Sequence, residues 1–328
     1  MIEEIRLLRT DCTDPHHNLA VEQVLLETVP ENTCILYLWQ NRRTVVIGRN
    51  QTAWKECRTT TLEADGGFLA RRLSGGGAVF HDLGNLNFTF LMNKADYNLP
   101  RQLEVIVEAC RSLGIPAECS GRNDVLADGR KFSGNAFYEH QGKSYHHGTL
   151  LVDVDTSAMG RYLSPSKAKM EAKGVSSVRS RVVNLRELKS ELTIEEMATR
   201  MEEAFQKAYG LTAQRLEESA LDQERVAALT RHNGSWEWLY GRELACTMHC
   251  GERFGWGEIE LHLTVEGGVI AQAVACTDAM DWTLGPALEK ALVGCRFHLE
   301  DVQQRIRTAP LTDEVKGDLY RLLAKQDP

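Results

Sequence analysis

The chain has 328 residues, 43% of them hydrophobic and 26% charged, and 46 acidic against 38 basic residues give a net charge of −8. That length suits a large domain plus a smaller one, and the composition is too apolar and too even for a disordered chain. The acidic balance argues against nonspecific binding to nucleic acid and favours a small-molecule or protein partner.

The first residues, MIEEIRLLRTDC, mix acids with bases and lack a continuous apolar core, so they do not read as a targeting peptide. No apolar run approaches the roughly 20 residues needed to span a bilayer, and a cytoplasmic protein without a membrane partner is expected. The nine cysteines, at 12, 34, 57, 110, 119, 246, 250, 276 and 295, are expected as reduced, buried thiols and not a disulfide framework. Cys246, His249 and Cys250 have no second ligand pair at suitable spacing, so a zinc site is not expected there.

In chain order, Asn18 precedes LAVEQVLLE, where Leu19, Val21, Val24 and Leu25 predict a helix capped by Asn18. CILYLW at 34–39 and TVVIG at 44–48, separated by Gln40 to Arg43, predict a hairpin that ends in Gly48-Arg49-Asn50-Gln51. Arg71 to Phe90, RRLSGGGAVFHDLGNLNFTF, then sets three consecutive glycines between Arg72 and Ser74 on one side and an apolar run with His81, Asp82 and Asn85 on the other. Such glycines allow positive φ and bring main-chain N–H groups close to a ligand, although taken alone they read equally well as a surface turn.

Leu103, Ile106, Val107, Cys110 and Leu113 share a helical face closed by Gly114. SGRNDVLADGRKFSGNAFY, 120–138, reads as strand, Asp128-Gly129 turn and strand, with Lys131 on the return arm. His146, His147, Gly148 and Thr149 open the next strand. Residues 164–183 form a basic loop with Lys167, Lys169, Lys173, Arg179 and Arg181, a composition that suits a solvated face or a closing lid. Thr193 and Glu196 cap a helix to Tyr209, terminated by Gly210. Between Gly210 and Arg242 the pattern is polar and helical, with two tryptophans in SWEW. A last unit begins with a hairpin from Glu258 to Ala273 turning at Gly267-Gly268, followed by helices from Pro286, from 299 and from Thr312, which predicts a small α+β domain.

No G-x-x-x-x-G-K-[ST] loop, G-x-G-x-x-G spacing, G-x-S-x-G elbow or H-E-x-x-H helix occurs. What remains is a set of anion-holding groups: Arg72, Ser74, the Gly75–Gly77 amides, Asn123, Asp124, Lys131 and the lysine/arginine loop. They suit a carboxylate and a phosphate held side by side.

RRLSGGGAVFHDLGNLNFTF, SGRNDVLADGRKFSGNAFY, HHGTLL and AKGVSSVRSRVVNL, with GRNQTAWKE at 48–56 and SWEW, resemble in order the signature blocks of bacterial lipoate-protein ligases. The resemblance implies an α+β fold: a catalytic domain like that of biotin protein ligases, 1–245, with a mixed β-sheet flanked by helices, and a small α+β C-terminal domain, 246–328. It implies ATP-dependent activation of lipoate to lipoyl-AMP and transfer of the lipoyl group to a lysine of lipoyl domains in 2-oxoacid dehydrogenase E2 subunits or of the glycine-cleavage H protein. ATP and Mg²⁺ enter as substrate and activating ion, with no tightly bound cofactor.

Carried over residue by residue, Lys131 takes the family's essential lysine, a compact cation able to stabilise charge on the α-phosphate and on the acyl carbonyl. Without the resemblance, Lys131 reads as a surface hairpin lysine. Arg72, Ser74, Gly76, His81 and His147 match the lipoate pocket. Gly77, Ala78, Asn123, Asp124, Lys131, Gly148, Thr149, Lys173 and Arg181 match the adenylate side. Asp124 either orients Lys131 or holds Mg²⁺, and residues 173–183 match a loop that closes over the intermediate.

A lipoyl or octanoyl transferase of the same fold acts through a cysteine thioester, but no cysteine lies between Cys119 and Cys246, and the C-terminal unit also favours a ligase. A non-catalytic lipoyl-binding protein is disfavoured by the retained Lys131 and basic loop. A biotin ligase is disfavoured because its GRGRxGR-type loop is absent.

Overall fold

Strands with apolar side chains on both faces sit at the centre of the computed structural model, which describes residues 2–120, 124–163, 182–240, 248–266, 268–297 and 299–325. In chain order the strands are β1 (Glu4–Arg9), β2 (Thr33–Trp39), β3 (Thr44–Ile47), β4 (Phe68–Arg71), β5 (Val79–His81), β6 (Asn85–Asn93) and β7 (Ala117–Ser120). They continue with β8 (Asp124–Ala127), β9 (Arg130–His140), β10 (Lys143–Leu151), β11 (Gln214–Arg215), β12 (Met248–Phe254), β13 (Gly257–Glu266) and β14 (Val269–Thr277).

Eight of them form a mixed sheet in the order β11-β1-β2-β6-β10-β9-β8-β7, parallel at β11-β1-β2 and antiparallel from β2 onward. One face is covered by the helices Leu99–Ser112 and Ile194–Tyr209, where Phe88, Phe90, Val105, Ile106, Met201 and Phe205 make a continuous core. The other face packs on the helix Pro15–Thr28 and on the small sheet β4-β3-β5, whose Val46 and Ala70 join Leu25, Tyr37 and Tyr145. The glycine-rich turn links β4 to β5 and therefore lies over that second face.

Residues 34–39 and 44–48 are not a hairpin. β2 lies between β1 and β6 in the large sheet, whereas β3 lies between β4 and β5 in the small one. Both strands are buried along their whole length, as expected of central strands and not of a hairpin with one wet face. The first helix also starts earlier than expected: Asp14 caps it by accepting from the His16 and His17 amides, with Pro15 in the first turn. Asn18 is inside the helix and buried, donating to the Cys12 and Gln40 carbonyls and to Asn41 Oδ1.

Local signals elsewhere hold. The helix Ile194–Tyr209 is capped by Thr193 and ends at Gly210 with φ +67°. The β8–β9 turn uses Asp128 and Gly129, both with positive φ. In the C-terminal part β12-β13-β14 form an antiparallel sheet, to which the edge strand β12 adds a member not expected from the sequence. Its helices, Leu284–Leu292, Leu299–Thr308 and Asp313–Ala324, cover one face through Leu261, Leu263, Leu288, Ile306 and Leu319. The expected division at 245/246 lies outside the described residues. Eight cysteines are described as free thiols, most of them buried, but Cys119 is exposed.

Candidate functional site

Strand register sets the site. On the sheet face toward the first helix, Trp39 lies opposite Asn87 and Asn87 opposite Thr149. The Thr149 hydroxyl accepts from the Gly134 amide at 3.4 Å, and Gly134 lies opposite Asp124. One step along the strands, Tyr37 pairs with Thr89, Thr89 with His147 and His147 with Ala136. A row of polar groups thus crosses the sheet from β2 to β8.

Lys131 reaches this face because of a bulge. β8 and β9 pair Val125 with Ser133 and then Leu126 with Lys131, leaving Phe132 as the extra residue. Strict alternation would put Lys131 on the side of Ser133; the bulge turns it to the side of Asp124 and Gly134 and sends Phe132 into the core. Lys131 Nζ is 2.7 Å from Asp124 Oδ1, with each side chain a little over one-third exposed. A Cβ on Gly134 would lie 3.0 Å from that Nζ. The Lys131 carbonyl accepts from the Val183 amide, which ties the base of the lysine arm to the chain just after the basic loop.

The other half of the site is a buried hydrogen-bond chain. Arg72 Nε donates to Ser74 Oγ at 3.1 Å, and Ser74 Oγ and His147 Nε2 are 2.8 Å apart. His147 Nδ1 is 2.8 Å from Glu22 Oε1, which also accepts from the Thr89 hydroxyl at 2.7 Å. With the Glu22 carboxylate as acceptor, His147 carries its proton on Nδ1, and in the neutral ring Nε2 accepts from Ser74. Arg72 Nη1 donates to the Val46 carbonyl, Nη2 to the Gly75 and Gly77 carbonyls, and Nε is shared with the Gly75 carbonyl. Burial pulls its pKa down to about 10. Arg72 therefore braces the turn from inside.

His81 stands beside this chain. Asn41 Nδ2 lies 3.2 Å from His81 Nδ1, and since Asn41 Oδ1 accepts from Asn18, its amide donates to the ring. The proton then sits on Nε2, and that buried atom has no hydrogen-bond partner among the described residues. Burial, with the nearby Arg72 and His147, brings the His81 pKa down to about 3, so the ring is a neutral donor. Among the described residues, Asn87 Nδ2 and Asn85 Oδ1 on β6 are likewise buried without a partner. Unpaired polar atoms cost about 1–3 kcal/mol each when left dry, so their concentration on one face is a mark of a place built for a ligand.

The glycine turn has a divided role. Gly76 has φ +91°, and its amide donates to the Ala279 carbonyl of the C-terminal part at 2.9 Å. A Cβ on Gly75 would lie 2.5 Å from that same carbonyl oxygen. Gly77, by contrast, faces open space, while Ala78 packs against the small-sheet core. Asn50 donates to the Trp282 carbonyl and accepts from the Thr277 amide, and the Arg49 guanidinium lies over the rings of Trp238 and Trp282. The polar strand exit at 48–51 is therefore where the C-terminal segment docks.

Of the residues singled out from the sequence, Arg72, Ser74, Gly76, His81 and His147 come together, as do Asp124, Lys131 and Thr149. Gly148 points to the opposite side, where a Cβ would meet Phe88 and the Gly134 carbonyl at 2.6 Å, so packing explains it. His146, on that same side, bonds Gln102 and Asn135 inside the core. Asn123, Lys173 and Arg181 lie outside the described residues. Glu22, Asn41 and Asn87 went unnoticed in the sequence. A signal existed for two of them: Glu22 sits on the apolar stripe of its helix, and Asn85, Asn87 and Thr89 alternate with Leu86, Phe88 and Phe90.

Residues 14–206 match the family model of the lipoyl protein ligase A/B catalytic domain, and residues 243–320 match that of the bacterial lipoate protein ligase C-terminus. Among solved structures, P. falciparum LipL1 in complex with lipoate is similar at 28% identity, covering 97% of this chain and 99% of that one, with a TM-score of 0.86. The bipartite lipoate protein ligase of Thermoplasma acidophilum, studied with its E2 lipoyl domain, shares 26% identity over 75% of this chain and 99% of that one, with a TM-score of 0.63. A lipoate-protein ligase A bound with ATP shares 25% identity over 73% and 98%, with a TM-score of 0.60.

Proposed function

This chain belongs to the lipoyl protein ligase A/B family, and from that premise we propose that it activates lipoate with ATP and transfers the lipoyl group to a lysine of lipoyl-acceptor domains. A free carboxylic acid does not acylate an amine at neutral pH, because hydroxide is a poor leaving group. A lipoate oxygen attacks the α-phosphorus of ATP, the bond to the β-phosphate breaks, and pyrophosphate leaves. The acceptor lysine amine then attacks the lipoyl carbonyl, and AMP departs with the bonding electrons.

The observation that carries this reading is the bulge that turns Lys131 onto the sheet face holding the unsatisfied His81, Asn85 and Asn87 atoms. His147 on β10 lies opposite Ala136 of β9, and Lys131 is five residues farther along β9, so the buried chain and the lysine's backbone are one strand apart and roughly 15 Å apart along the same face. The acyl end lies at Ser74, His81 and His147, with His81 Nε2 donating to a ligand oxygen. The phosphate lies toward Gly77, Thr149 and Lys131, where the ammonium stabilises charge in both half-reactions. Asp124 keeps Lys131 in place. A single one-third-exposed carboxylate is also the donor set that Mg²⁺ arriving on nucleotide phosphates requires; Asp124 would hold the ion, which neutralises phosphate charge. Lys173 and Arg181 are proposed on the closing loop and Asn123 beside the adenylate.

The cysteine-dependent transferase reading is weaker. Burial pushes the Cys57 and Cys110 thiols up to about 12, and Cys119 is also raised by burial, the opposite of what a nucleophilic cysteine needs. No helix among the described residues is long and apolar enough to cross a membrane, and the reaction is proposed for the cytoplasm. The decisive assay mixes protein, ATP, Mg²⁺ and lipoate with and without an apo lipoyl domain, reading pyrophosphate and acceptor mass. Absence of lipoate-dependent pyrophosphate refutes the ligase. Lys131→Ala is expected to keep the fold and to lose both lipoyl-AMP formation and use of preformed lipoyl-AMP.

A further inference from the structure

On the C-terminal sheet, three residues form a second constellation. His249 on β12 lies directly opposite His262 on β13, and Glu260 is two residues along β13, on the same face. That face is the one turned away from the helices, since Leu261, Leu263 and Cys250 fill the core on the other side. The ring centroids of the two histidines are 4.7 Å apart. Glu260 Oε2 is 3.8 Å from His249 Nε2 and 3.7 Å from His262 Nε2. One ligand atom from each residue lies within 4.8 Å of the others.

We propose that His249, Glu260 and His262 form a binding site for a divalent first-row metal ion of the zinc class. The Glu260 to imidazole separations are longer than hydrogen bonds but close to what an ion between them demands. Bonds of about 2.0–2.2 Å in tetrahedral geometry put ligand atoms about 3.3–3.6 Å apart, so the Glu260 separations need to close by about 0.1–0.5 Å, and the two imidazole nitrogens, which lie within 4.8 Å, by at most about 1.5 Å. Two imidazole nitrogens and one carboxylate oxygen select zinc, cobalt, nickel or copper over magnesium or calcium, which take oxygen ligands. Three protein ligands leave a fourth position for water. His249 is half exposed and opens the site to solvent, while His262 and Glu260 are about three-quarters covered.

The sequence draws attention to His249, but in the company of Cys246 and Cys250, and a zinc site is not expected from that spacing; Cys250 turns into the core, and the other two ligands come from the neighbouring strand. A bound ion joins the edge strand β12 to β13. It also sits one strand from the interdomain contact, since Glu260 is opposite Cys276, and Cys276 Sγ accepts from the Thr52 hydroxyl of the catalytic part. The ion therefore stiffens the sheet that docks on residues 50–52.

The test uses the untagged, metal-stripped full chain titrated with Zn²⁺ and, separately, Co²⁺, read by calorimetry and by the visible absorption of low-symmetry Co²⁺. One equivalent is expected to bind, to raise the unfolding temperature, and to resist competition from excess Mg²⁺. His262→Ala and Glu260→Gln are each expected to weaken binding at least ~100-fold, as loss of a direct ligand exceeds the 10–100-fold typical of outer partners. His140→Ala, an exposed histidine on β9, is expected to bind as the unaltered chain does. Glu260→Gln keeps the side-chain shape, and matching metal-free unfolding temperatures separate a lost ligand from a lost fold. No saturable binding by the unaltered chain, or equal binding by the Glu260→Gln variant, overturns the proposal.

Discussion

Gly134→Ala separates the placement of Lys131 from the stability of the sheet that carries it. A methyl group at 134 would stand 3.0 Å from Lys131 Nζ and 3.1 Å from its Cε, whereas the nearest other atom, Thr149 Oγ1, is 4.0 Å away. Ordinary carbon contacts begin near 3.5 Å, so the ammonium must retreat by about 0.5–1 Å, away from a position it shares with Asp124 at 2.7 Å. An ion pair so exposed is worth about 0–1 kcal/mol, and replacing a strand glycine by alanine returns about 0.5–1 kcal/mol of chain entropy. Net stability therefore changes by less than about 1 kcal/mol. Misplacing a catalytic group by about 1 Å costs up to roughly 100-fold in rate. The expected result is a 10- to 100-fold fall in lipoate-dependent pyrophosphate release with an almost unchanged urea midpoint. Gly148→Ala, where the methyl would meet Phe88 and a carbonyl at 2.6 Å, should instead lose about 1–3 kcal/mol of stability. Full activity in Gly134→Ala, or a loss of activity that tracks a loss of stability, would refute this account of the bulge.

Glu22→Leu removes the acceptor for the His147 ring and the Thr89 hydroxyl; at about 1–3 kcal/mol per orphaned donor, urea unfolding should show a loss of about 2–6 kcal/mol, and a neutral outcome would mean that this hydrogen-bond chain is not structural. His81 and His146 both have pKa values pulled by burial to about 3, against about 6.5 when unfolded. The unfolded chain then binds the extra protons, so stability is complete above pH 6.5 and declines as pH falls toward 3. Each group contributes a slope of about 1.4 kcal/mol per pH unit. His146→Gln should flatten that slope by about this amount between pH 6 and 4, and an unchanged slope would contradict the assignment. Gly75→Ala drives a methyl group into the Ala279 and Met280 carbonyls and should break the Gly76 to Ala279 hydrogen bond, read as faster amide exchange at Gly76; exchange at the original rate would show that the turn does not carry the C-terminal segment.

Features with local causes were legible in the sequence. The helix ending at Tyr209 announces itself through Thr193, Gly210 and a 3.6-residue period, and the β8–β9 turn through Asp128-Gly129. β2 and β3 look like a hairpin in the sequence, yet their partners, β1, β6, β4 and β5, are chosen by burial over long separations and not by the four residues between them. The site divides in the same way. The sequence blocks drew attention to Ser74, His81, Lys131 and His147, but nothing local says that Glu22 holds His147 across 125 positions. Strand alternation gives Lys131 the wrong face, because one extra residue at Phe132 reverses it.

The three glycines that looked like one anion-binding loop have separate causes, and that division relates the pocket to the C-terminal part. Gly75 is small because the Ala279–Met280 backbone lies against it, and Gly76 adopts positive φ while its amide is committed to Ala279. Only Gly77 faces open space, and its carbonyl is held by Arg72, whose other donors bind Gly75 and Ser74. The guanidinium therefore clamps both ends of the turn and leaves little capacity for a ligand carboxylate. Charge on the ligand must be met elsewhere on the same face, and among the described residues Lys131 is the cation that the strand register brings there. A ligand entering beside Gly77 meets a turn whose preceding two residues already carry the C-terminal segment, so ligand binding and docking of residues 277–283 act on the same few backbone groups.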